Sequence, residues 1–206
     1  MGLSPFGNPL SVYNSKVLEL EEKKSVATKL GTFLEPAILA YTADKLKAQG
    51  VEADVVYKHP NGIMVANCDG LFQQHFFRKL KDEPWLVEVK TTGFTGTPPE
   101  ADDWGKGGTD QIPPRVLVQV HHQMACSGIG NALVPLLSGH DGKGLRIYRI
   151  SRSDLYVDAI EKISTFFWKN HVEPRIPPAE DLKRIIPVKL QHGPTQDDPG
   201  DSVSGW

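Results

Sequence analysis

The apolar residues of this chain change period along its length. Val26, Leu30, Phe33, Leu34, Ala37, Ile38, Tyr41 and Leu46 recur at three- and four-residue steps, the spacing of one helix face. From residue 51 onward they fall instead into short runs, 51–58, 63–66, 68–73 and 85–91, separated by turn and breaker signals such as His59-Pro60-Asn61-Gly62 and Pro84. Helical spacing returns at 113–128, strand-like runs at 132–137 and 145–150, and a last helix is expected over 153–171. That order predicts one α/β fold with a central mixed β-sheet flanked by helices.

Local signals refine this order. Asn8 caps a short helix that Pro9 opens and that runs to about residue 21. Gly50 closes the long helix, and Pro36 inside it predicts a kink or restart, since proline lacks an amide donor and crowds the carbonyl of Thr32. The segment 93–114, rich in Gly, Pro, Thr and acid around Trp104, is too long for an ordinary connection and is expected to be a functional or mobile loop.

Composition excludes several classes. The 206 residues are 39% hydrophobic and 23% charged, close to the globular average, which argues against wholesale disorder. Lys and Arg number 23 against 25 acids, a net charge of −2, so any anionic partner is held by local basic clusters. Asp197, Asp198 and Asp201 make an acidic tail on an otherwise nearly neutral body. Cys68 and Cys126 are too few for a disulfide framework, a four-thiolate zinc site or an iron–sulfur cluster, and suit a reducing cytoplasm. No signal-peptide pattern or apolar run of roughly 18 residues is present, so the expected location is cytoplasmic.

The chemistry concentrates in a few places. In a strand over 85–91, Val87 and Val89 share one face while Glu88 and Lys90 share the other, about 7 Å apart. Such a pair suits either a metal site with an activated water or a surface ion pair. Asp69-Gly70 fits a hairpin turn, or the end of a buried strand that brings Asp69 beside Glu88. Glu35 stands at the Pro36 irregularity, flanking the apolar stripe, either inward-facing or in a solvated groove. Gln119 and Gln123, four apart on one helix face, can hold a water or phosphate, or be ordinary surface amides. His121 and His122 diverge by about 100° on a helix and do not share one ion easily. Cys68 reads as a small buried residue. Residues 139–144 read as a hairpin turn, and Lys143, Arg146, Arg149 and Arg152 mark a DNA-facing strand or a solvated one.

As an ordered set these pieces resemble the PD-(D/E)XK nuclease core and, more closely, the YqaJ viral recombinase family, relatives of phage lambda exonuclease. The matching residues are Leu3-Ser4-Pro5-Phe6 with Asn8-Pro9-Leu10, Gly31-Thr32-Phe33-Leu34-Glu35-Pro36, Asp69-Gly70-Leu71, Leu86-Val87-Glu88-Val89-Lys90-Thr91 and Gln119-Val120-His121-His122-Gln123-Met124, with Phe167-Trp168 and Pro177-Pro178 later. The resemblance implies a single nuclease domain over 1–178 and a partly disordered arm and acidic tail over 179–206. It implies a Mg²⁺-dependent exonuclease, Mn²⁺ substituting, that degrades one strand of linear double-stranded DNA 5′ to 3′. A single-strand-annealing recombinase partner and a homotrimeric ring are implied with it. By position, Asp69, Glu88 and the carbonyl of Val89 would hold the metal, Lys90 would activate the water, and Glu35 would assist. Gln119 would position the nucleophile, with Gln123 beside it.

Relatives usually carry an arginine- and serine-bearing segment ahead of the Ser-Pro-Phe stretch, associated with capture of the 5′-phosphate. This sequence opens at that stretch, so the pocket is expected to be either missing or rebuilt, with Arg115 or a basic strand residue as the candidate substitute. The rival readings are an endonuclease on the same core, and a DNA-binding recombination component with impaired catalysis.

Overall fold

The computed structural model describes residues 7–18, 25–74, 83–93, 104–139 and 144–179. The readings made above on residues 3–6, Lys143, the three tail aspartates and the arm beyond 179 lie outside these.

Helix α1, Pro9–Val17, begins as its capping residues dictate. Asn8 accepts from the Ser11 amide at 2.8 Å, and the Ser11 hydroxyl accepts from the Asn8 amide at 2.9 Å. It ends four residues short of the expected boundary. Helix α2, Val26–Leu46, runs unbroken through Pro36 and therefore neither restarts nor stops there. Packing of Ile38 and Leu39 on the sheet offsets the one hydrogen bond that proline removes. Its end is set by Lys47 in the left-handed region (φ 49°), while Gly50 belongs to the strand that follows.

Strands β1 (Gln49–Lys58), β2 (Val65–Gln74) and β3 (Trp85–Val87) pair antiparallel in sequence. Strand β5 (Asn131–Ser138) receives β3 and β4 (Lys90–Thr92) in parallel on one flank, and β6 (Leu145–Ser151) antiparallel on the other. Parallel pairing needs a crossover, which α3 (Pro114–Ser127) supplies, closed by Gly128 in the left-handed conformation. Helix α4, Asp154–Phe167, continues into one π-helical turn, Trp168–Val172.

The runs 63–66 and 68–73 are thus a single strand, and Asp69-Gly70 lies inside it, not at a turn or strand end. The run 85–91 is split in two. The docked part of the long connection, 104–113, lines the outer edge of β6, with Gly108 donating to the Ile147 carbonyl at 2.8 Å and Arg149 to that of Thr109 at 3.1 Å. Trp104 packs on Tyr148, whose hydroxyl donates to the Gly105 carbonyl.

Alternation gives the sheet two apolar faces. Leu71, Leu86, Ala132, Val134 and Leu136 pack with Val116, Val120 and Met124 of α3. Phe72, Val87, Val89 and Leu133 pack with Ile38 and Leu39 of α2. The result is a three-layer α/β/α sandwich with the sheet at its centre. No helix among the described residues is long and apolar enough to cross a membrane.

Candidate active site

The site forms where the ladder between β2 and β3 ends. Their last pair is Gly70 with Val87, so Asp69 is the first residue of β2 beyond that ladder. Asp69 shares the parity of Leu71, and Glu88 that of Leu86, which puts both carboxylates on the α3 face. Gly70 points the other way. A Cβ there would stand 2.7 Å from Leu39 Cδ1, so its glycine lets α2 lie close on the sheet. Glu35, one turn before Leu39 on α2, reaches the same end of the sheet.

Glu88 is buried, 3% exposed, and its carboxylate gathers three donors. Lys90 Nζ and Gln119 Nε2 (2.7 Å) donate to Oε1, and Gln123 Nε2 donates to Oε2 at 2.5 Å. Gln123 also donates to the Asn67 carbonyl at 2.9 Å, tying α3 to the part of β2 that β3 leaves uncovered. The two glutamines therefore hold Glu88, where the sequence suggested a water or phosphate. Arg115, Gln119 and Gln123 follow at four-residue steps, so Arg115 lies on the same face of α3 one turn nearer its start. Asp69 Oδ2 accepts from the Val89 amide at 2.6 Å.

Two carboxyls of the site, Asp69 and Glu35, are raised from their ordinary values. Burial pushes the Asp69 carboxyl up to about 7, aided by the charges of Glu88 and Glu35 and opposed by the Val89 amide and Lys90. Glu35 is raised as well, by burial first, then by Asp54 and Glu88, with Lys90 opposing. The sequence reading missed Asp54. It sits on β1 between the pairs Ala53–Gly70 and Val55–Cys68, level with Asp69, in a left-handed conformation (φ 52°). An aspartate at the middle of the strand-like run 51–58, of a type that tolerates that conformation, was the available signal.

Among the described residues no group of three or more His, Cys, Asp or Glu side chains is arranged to hold a metal ion. A cation here would draw on two carboxylates and a backbone oxygen, and the donor chemistry fits a hard divalent ion. Asp69 Oδ1 accepts no hydrogen bond from a described residue, and the crowding that raises this carboxyl is what a cation would relieve.

Other candidates have structural partners. His121 is 2% exposed, stacks on Tyr156, contacts the Leu117 carbonyl and accepts from the Ser153 amide, while His122 contacts the Val65 carbonyl. Cys68 is buried, its thiol pushed up to about 12 by burial and by Glu88 and Asp69. Arg152 bonds Asp154 and the Met124 carbonyl at the end of α3, and Arg146 and Arg149 fall on opposite faces of β6. They form no single DNA-facing row.

The fold is that of the phage-type exonucleases, with a PD-(D/E)XK core. The alkaline exonuclease LHK-Exo from Laribacter hongkongensis is 21% identical, with 85% of each chain covered and a TM-score of 0.60. The same protein in complex with dAMP gives 0.59, with 82% of this chain and 79% of that one covered, at 21% identity. A phage-related exonuclease from Haemophilus somnus 129PT gives 0.55 at 10% identity, covering 77% of this chain and 76% of that one. No curated protein matches the sequence. The family model for the YqaJ-like viral recombinase domain matches residues 1–130, and the chain belongs to that family.

Proposed function

We propose that this chain is a Mg²⁺-dependent exonuclease, with Mn²⁺ able to substitute, that degrades one strand of linear double-stranded DNA 5′ to 3′. The observation that carries this reading is the buried Glu88, bound by Lys90, Gln119 and Gln123 beside Asp69 where the ladder ends. A buried carboxylate so provided with donors, next to a second whose carboxyl is raised, favours an enzymatic site over a scaffold. Family membership and the dAMP complex of LHK-Exo, a nucleotide of the size an exonuclease releases, support the exonuclease form.

Asp69, Glu88 and the Val89 carbonyl would hold the cation. When bound it would lower the pKa of an attacking water and offset charge on the scissile phosphate. Gln119 and Gln123 fix the Glu88 carboxylate so that it need not reorganise during the reaction. Lys90, anchored on Glu88 Oε1, keeps further N–H groups to orient the water and the phosphate. Glu35, with its raised carboxyl, would assist the cation or its water. Arg115, on the face of α3 that carries both glutamines, is the candidate contact for the DNA backbone. The chain would work as a homotrimer that passes its single strand to an annealing recombinase.

The test is digestion of a 5′-phosphorylated linear duplex and a closed circular plasmid, each with Mg²⁺ and with chelator. Loss of the linear DNA alone, from its 5′ ends and only with Mg²⁺, is the expected result. Cutting of the circle would favour an endonuclease, and DNA binding with no cleavage would overturn the enzymatic reading.

A further inference from the structure

Pro135 stands inside a central strand, where its missing amide removes a ladder hydrogen bond and where proline is rarely tolerated. Its partner positions explain why it matters. Leu86 pairs with Ala132, Val87 with Leu133 and Lys90 with Leu136, one constant register in which Val89 is level with Pro135. Glu88 donates to the Leu133 carbonyl at 3.0 Å. In the parallel alternation the next bond would run from the amide of residue 135 to the Glu88 carbonyl. Proline has no such amide, and no described residue donates to the Glu88 carbonyl.

The separation of β3 from β4 therefore comes from one side chain on a different strand. It falls on the peptide that joins Glu88 to Val89. The N–H of that same peptide donates to Asp69 Oδ2 at 2.6 Å. This peptide plane is thus held from one flank only, by a carboxylate of the site, and is free of the sheet on the other.

We propose that Pro135 is a positioning residue, one that withholds a ladder bond so that the Glu88–Val89 peptide follows Asp69 as the site takes up a divalent cation. The inference rests on the function proposed above. With an amide at 135, the peptide would be pinned to β5, and Asp69 would have to break or stretch that bond to adjust. Pro135 touches neither cation nor DNA in this account and acts through the peptide alone.

The full chain, Pro135→Ala and Pro135→Val are compared without DNA by Mg²⁺ calorimetry, thermal melting and the NMR shift of the Val89 amide. Both variants should melt within a few degrees of the parent and bind Mg²⁺ about fivefold more weakly, the fold-change one ladder hydrogen bond corresponds to. Their Val89 amide should shift. Equal or tighter Mg²⁺ binding, or a large loss of melting temperature in both variants, overturns the assignment. A parent that binds no Mg²⁺ contradicts the function instead. Pro135 is then judged on the Val89 shift alone, and an unchanged shift overturns it.

Discussion

Gln119 and Gln123 donate to the same carboxylate from different depths, and the difference separates two kinds of effect. Gln123 is 2% exposed and serves both Glu88 and the Asn67 carbonyl. Gln123→Leu leaves the buried Glu88 carboxylate and the Asn67 carbonyl each short of a donor and should cost about 1–3 kcal/mol in a denaturant melt, with activity lost as well. Gln119 is exposed, so Gln119→Leu should leave the melt nearly unchanged and still reduce cleavage. Equal stability losses in the two variants would contradict this division. Asp69 gives the pH dependence. Its folded value of about 7 lies above the ordinary 3.8, so the folded, metal-free protein binds the extra proton between those values. The stability this contributes is complete below about pH 4 and is lost as pH rises through about 7. Melting temperatures of metal-free protein should therefore fall over that window relative to Asp69→Asn, which lacks the titration. A parallel pH profile in the two proteins would remove the basis for it.

At the scale of elements, what the sequence made legible and what it hid have different physical origins. Helix α3 was readable because Pro113-Pro114, Gly128 and the apolar spacing between them are local signals. Asp69-Gly70 was misread as a turn or strand end because that dipeptide usually marks one, whereas here Gly70 serves packing against Leu39. Strand parity and helix spacing brought Asp69, Glu88, Lys90, Gln119 and Gln123 into view in the sequence, the resemblance ordered them with Glu35, and Asp54 was missed. Two things were not legible. Asn67 contributes only its backbone carbonyl, and the gap between β3 and β4 is caused by Pro135, some way along the chain. Gly70→Ala tests the packing argument. Its methyl would crowd Leu39 and approach the Glu52 carbonyl at 3.2 Å, a cost of about 1–3 kcal/mol in a melt. Adding Leu39→Ala should recover part of the activity lost through displacement of α2 and Glu35. A double variant no more active than Gly70→Ala would mean that the Leu39 contact is not what the glycine relieves.

For the whole molecule, the sandwich gives each layer a distinct task. The sheet supplies Asp69 and the Glu88–Lys90 segment, α2 brings Glu35 to the end of the ladder, and α3 closes over Glu88 with its glutamine row. A chain with a net charge of −2 does not attract DNA over its entire surface, so binding is local and weakens as salt rises. The proposed hydrolysis centres on the Glu88–Lys90 pair. The most direct measurement is digestion of a linear duplex with Mg²⁺ by the parent chain and by Lys90→Ala, after melting curves establish that both are folded. The account predicts that the variant keeps its fold and loses at least about 10²-fold in rate. A folded Lys90→Ala chain that digests the duplex at the parent rate would contradict it.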